Sequence, residues 1–92
     1  MEIRIGHDLQ RVVALERLRI AMRRADLDED TAGADEFTGR VVKRTPLGAV
    51  EGEWRVEERV VVVLVVKKPA WLPEDAIRRP LEQGLRDALI AE

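Results

Sequence analysis

Cysteine, serine, tyrosine and asparagine are all missing from this 92-residue chain, and His7 is its only histidine. Without cysteine there is no disulfide, no thiolate nucleophile and no Cys-ligated metal. With neither serine nor cysteine to stand beside His7, a Ser–His or Cys–His catalytic pair cannot be assembled. A multi-histidine zinc site fails for the same want of ligands. An enzyme built from these letters would have to work with carboxylates, Thr, Arg, Lys or the single His. The expectation is therefore a protein with no catalytic residues, no metal and no cofactor.

An excess of one charge is lacking too. Sixteen Lys and Arg face eighteen Asp and Glu, a net charge of −2, so no global field draws in nucleic acid or anionic lipid. The opening MEIRIGHDLQ lacks the apolar segment of a signal peptide. The longest apolar run is far short of the ~17–25 residues that a membrane helix needs. A soluble, cytoplasmic protein with no membrane span is expected.

What is present is 46% hydrophobic and 37% charged, as in a globular protein with an ionic surface. Arginine outnumbers lysine thirteen to three, which reads first as coding bias and second as adaptation to heat. The length suits one domain, residues 1–92. EIRI alternates as a short half-buried strand, and Asp8 is placed to cap a helix over residues 8–25. On that helix Ala14, Leu15, Leu18, Ala21, Met22 and Ala25 share a face, and Leu9, Val13 and Ile20 form a second, narrower stripe. DLDEDTAGADE, residues 26–36, reads as an acidic loop.

A three-stranded meander follows. Its first strand sets Phe37 and Val41 on one face, opposite Thr38, Arg40, Val42 and Arg44. Its second sets Val50, Gly52, Trp54 and Val56 inward and Glu51, Glu53, Arg55 and Glu57 outward. A two- or four-residue loop at TPLG keeps Val41 and Trp54 on one side and brings Arg40 and Arg44 beside Glu51 and Glu53. The last segment is helical from near Pro73, with Ile77, Leu81, Leu85, Ala88 and Leu89 at helical spacing. Pro80 implies either a kink or a short turn followed by a second helix. The predicted class is α+β, a four-stranded antiparallel sheet in the order β-α-β-β-β-α with two helices on one face.

The third meander strand breaks the alternation. Val60 to Val66 are seven branched apolar residues in a row, so both faces of that strand are apolar. Each such side chain is worth about 1.5–3 kcal/mol when buried, so leaving one face wet would forfeit several kcal/mol. Three covers are open: neighbouring Arg and Glu stems or the PAWLP segment with Trp71, a second copy of the chain, or a hydrophobic ligand or surface. The candidate homodimer interface is Val61, Val63 and Val65, joined by Leu9, Val13 and Ile20.

Other candidates are weaker. His7–Asp8 resembles a base with an orienting carboxylate, but no nucleophile accompanies it, and a capping Asp8 beside a solvated His7 suffices. Asp26, Asp28 and Asp30 open like a calcium loop, yet Thr31 stands where glycine is needed and Phe37 where a bidentate acid is needed. The helix arginines scatter round its circumference and leave no basic stripe for nucleic acid. Trp54 and Trp71 are the aromatic candidates to line a ligand pocket, Trp54 primarily as a core anchor.

The stretch LGAVEGEWRVEERVVVVLVVKKPAW, with Gly48 and Gly52 before the valine strand, and the helix bearing Ile77, Leu81 and Leu85, resemble the bacterial polyhydroxyalkanoic acid system proteins. That family carries a Phe-Lys-Gly-like stretch where this chain has AWLPEDA. The resemblance implies association with storage granules, whose surface is apolar, and supplies no catalytic residue. The expected function is that of a non-enzymatic interaction protein acting through an apolar sheet surface. The alternative is a module holding an apolar ligand between sheet and helices.

Overall fold

The computed structural model describes residues 1–30, 35–46 and 48–90. The elements are β1 (Glu2–Gly6), α1 (Arg11–Arg24), β2 (Asp28–Asp30), β3 (Thr38–Thr45), β4 (Gly48–Val56), β5 (Val60–Lys67) and α2 (Glu74–Leu89). The fold is α+β. All strand pairs are antiparallel, in the spatial order β1-β5-β4-β3-β2. The valine strand β5 is therefore internal, flanked by β1 and β4.

The sheet has five strands where four are expected, and the addition comes from the acidic segment. Asp28, Glu29 and Asp30 pair with Val42, Val41 and Arg40. Asp and Glu have low strand propensity, so tertiary surroundings decide here. Asp26 takes a left-handed conformation (φ 55°), which Asp tolerates, and turns the chain back at the end of α1. Leu27 then bonds through its N–H to Met22 O at 3.0 Å and packs against the core. Beyond it, Asp28 lies 3.9 Å from Arg44 and Glu29 3.5 Å from Arg19. A short, charged outer strand also discourages pairing with another chain. Thr31 and the rest of 31–34 in the expected loop, and Leu47 of the TPLG turn, lie outside the described residues.

The meander follows the expected parity. Val41 pairs with Gly52 and Gly39 with Trp54, placing Val41 and Trp54 on one face. On the other face Arg40 reaches Glu53 at 3.3 Å, while Arg44 turns to Asp28 rather than to Glu51. Glu51 pairs instead with Lys67 at 3.7 Å. Trp54 lies flat over Gly39: a Cβ there would come within 2.6 Å of the indole ring.

Both helices pack on the inward face. Leu15, Leu18 and Met22 of α1 join Leu85 and Leu89 of α2 against Ile3, Ile5, Trp54, Val56, Val61 and Val63. α1 starts three residues later than expected, at Arg11, and its N-cap is Gln10 rather than Asp8. The cause is His7, which is buried rather than solvated. Leu9 N–H donates to His7 Nδ1 at 3.2 Å, so the ring carries its proton on Nε2 and donates to Glu57 O at 3.1 Å. The histidine thereby ties the β1–α1 corner to the β4–β5 turn. α2 is one helix with Pro80 inside it, of the two forms left open by the sequence. Proline removes the bond to Ala76 O and weakens the first half of that helix.

Candidate functional site

The valine strand turns its odd positions inward. Val61 and Val63 are 0% and 5% exposed, packed between Ile3, Ile5, Trp54 and Val56. These two expected interface residues belong to the chain's own core and are not available to a second copy. Val65, the third, is half-buried. The partners of the second stripe do not form one surface either. Leu9 packs against the core, Val13 is half-buried and Ile20 is exposed.

The even positions face outward, and protein covers much of them. Val62 is only 4% exposed because it sits between Arg4 and Arg55 in the register. Glu2 holds Arg4 at 3.0 Å and Glu57 holds Arg55 at 2.7 Å, so both arginine stems lie over the valine. The Glu2 carboxylate also keeps the Arg4 pKa above its ordinary value, chiefly by hydrogen bonding to it. Leu64 and Val66 stay exposed, the latter at a register shift opposite Glu51 and Gly52. PAWLP contributes no cover through Trp71, which is 58% exposed.

The inward face holds a feature of a different kind. Between sheet and helices lies an apolar cleft of about 390 Å³. One wall is Leu18, Ala21 and Met22 of α1 with Ala25 at its C-cap. The other is Ala76, Ile77, Pro80, Leu81 and Gly84 of α2, with Leu85 at its base. Val50, Trp54, Val63 and Val65 make the floor, and Lys43 and Thr45 stand at the end of β3. Ala25, Ala76, Pro80 and Gly84 are exposed, so the cleft opens to solvent. Leu27 and Leu72 complete its lining.

The sequence causes this space in two ways. The helix walls carry Ala21, Ala25, Ala76 and Gly84, whose small side chains cannot bridge the gap. The apolar stripe of α2 is also longer than its packing. Leu85 and Leu89 are buried, whereas Ile77 and Leu81 are only partly so. Leu85 and Leu89 near the C-terminal end of α2 join the core, while Ala76, Ile77, Pro80 and Leu81 nearer its start line the cleft.

Of the two tryptophans expected near a pocket, Trp54 lines the cleft and Trp71 does not. The Trp54 indole N–H is buried and has no acceptor among the described residues. His7 and Asp8 sit apart from this lining. Two of the α1 arginines tie the helix to its neighbours. Arg11 lies 3.9 Å from the centre of the Phe37 ring and donates to Val56 O at 2.9 Å, and Arg17 donates to Ala88 O. Lys43 is the residue that sequence reasoning missed. The alternation placing Phe37 and Val41 inward puts Lys43 on the same face two residues on, and a lysine on the core side of a strand is the signal that could have found it.

No protein-family model matches this chain, and no curated protein matches it. Among the described residues, no helix is long and apolar enough to cross a membrane.

Proposed function

We propose that this protein is a small binding module whose cleft holds an apolar ligand between the sheet and the two helices. The observation that carries the reading is a cleft of about 390 Å³ with sixteen apolar or glycine residues among its eighteen lining positions. Small-molecule sites are concave, mostly apolar and roughly 300–1,000 Å³ in volume, with a few placed polar groups. A dry cavity of about 150 Å³ already holds a benzene molecule. The partly buried Ile77 and Leu81 are the side chains that such a ligand would cover. The reading assigns no catalytic step.

The test is a titration of the Trp71→Phe protein with dodecan-1-ol, so that emission comes from Trp54 in the cleft floor. Binding is expected to shift that emission and to stabilise the fold. At a hundredfold excess over Kd the gain is about 2.7 kcal/mol, or roughly 10–20 °C in Tm for a chain of this size. Gly84→Leu, which adds a side chain where a Cβ meets nothing within 4 Å, should occupy the cleft and abolish the shift. No emission change and no rise in Tm with aliphatic ligands would refute the reading.

A second reading draws on Leu64, Val66 and Trp71, large apolar side chains that remain exposed. Docking of this surface on an apolar granule, or on a second copy of the chain, would cover them. Its test is solution mass by light scattering across a dilution series, together with retention on polyhydroxyalkanoate particles. A monomer that is not retained would remove this reading.

A further inference from the structure

We propose that the ligand of the cleft is an aliphatic monocarboxylate whose head group pairs with Lys43. The inference rests on the binding reading above and adds the chemistry of the head group. Lys43 follows Val41 along the inward face of β3, and its partner in the register is Val50 of the cleft floor. Its Nζ donates to Ala25 O at 2.7 Å, which fixes the ammonium at the C-terminal end of α1 and at one end of the cleft. An ammonium has three donors, and that bond uses one of them.

The neighbouring cations of the sheet are neutralised and this one is not. Arg40, Arg44 and Lys67 have carboxylates at 3.3, 3.9 and 3.7 Å. Among the described residues, no carboxylate pairs with Lys43. Those three cations belong to the outer face, whereas Lys43 stands on the inner one, half-buried along its length beside an apolar lining, with its bond to Ala25 O open to solvent. An uncharged ligand filling the cleft would strip water from the ammonium and return no counter-charge. A carboxylate on an aliphatic tail returns it, through charge-assisted hydrogen bonds. One cation suits a single negative charge, which selects a monocarboxylate over a dianion such as a phosphate monoester.

The experiment compares dodecanoate with dodecan-1-ol at neutral pH on the Trp71→Phe protein and on the same protein carrying Lys43→Met or Lys43→Arg. Dodecanoate is expected to bind the parent at least about tenfold more tightly than the alcohol. Lys43→Met should erase that preference by weakening dodecanoate alone, and Lys43→Arg should restore it. Should Lys43→Met not fold, the parent still decides, because an ion-paired preference must shrink as salt is raised. Equal binding of the two ligands, or a preference that survives Lys43→Met, overturns the head-group assignment and leaves the cleft reading standing. Failure of both ligands to bind overturns the cleft reading, and the assignment falls with it.

Discussion

Replacing Gly39 by alanine should destabilise this protein, although the same change in a strand ordinarily helps. Glycine in a regular element costs roughly 0.5–1 kcal/mol relative to alanine, through the freedom that it loses on folding. Here the added Cβ would sit 2.6, 2.7 and 2.8 Å from Cζ2, Cε2 and Nε1 of Trp54. Trp54 is 2% exposed and packs with Val41, Val56 and Val63, so its indole can yield only toward the cleft that it lines and at the cost of those contacts. Overpacking at a core contact costs about 1–3 kcal/mol. Set against each other, the two effects leave a net loss centred on about 1 kcal/mol, or roughly 4–8 °C in Tm for a chain of this length. Urea denaturation followed by far-UV circular dichroism reads this directly. A double-mutant cycle isolates the cause, since in a Trp54→Leu background the alanine should cost at least about 1 kcal/mol less. A Gly39→Ala protein as stable as its parent, or one with the same cost in both backgrounds, would refute the stacking of Trp54 on Gly39.

Gly84→Ala should act in the opposite sense, gaining about 0.5–1 kcal/mol in denaturant melts, because its new methyl meets open space in a helix. Val61→Thr with Val63→Thr should cost roughly 2–6 kcal/mol by leaving two hydroxyls in the core. The outward pair Val62→Thr and Leu64→Thr should leave a folded protein, and equal damage from both pairs would contradict the assigned parity. His7→Ala should lose about 1–3 kcal/mol, since it removes the ring that joins Leu9 N–H to Glu57 O. Pro80→Ala restores a donor for Ala76 O and should slow amide exchange in the first half of α2.

Much of this fold is legible in the letters. The alternation of Phe37–Val41 and of Val50–Val56 assigns the faces of β3 and β4, and the spacing of Leu15, Leu18 and Met22 assigns the buried side of α1. The features that the letters misplace or leave open each have a physical reason. β2 is hidden because the turn at Asp26, the anchoring of Leu27 on the core and the edge offered by β3 place it, and not strand propensity. The parity of Val60–Val66 depends on the turn after Val56. That turn closes through Glu57 N–H to Val60 O at 2.8 Å without a glycine or proline to mark its length. The burial of His7 depends on Glu57, far along the chain. The site was the least legible part. Both candidate surfaces were read from large apolar residues, whereas the cleft exists because Ala21, Ala25, Ala76 and Gly84 are small. A gap between elements leaves its trace in what the facing side chains fail to fill. That trace becomes visible only when the faces are known to oppose each other.

The central claim is that the inward cleft, and not the outer sheet face, receives a ligand. Methyl NMR tests this most directly, by titrating the isotope-labelled protein with dodecanoate and following every Ala, Ile, Leu, Met and Val methyl. Shifts should concentrate on Leu18, Ala21, Met22, Ile77 and Leu81, with Leu64 and Val66 unmoved. Shifts confined to Leu64 and Val66, or none anywhere at saturating ligand, would contradict it.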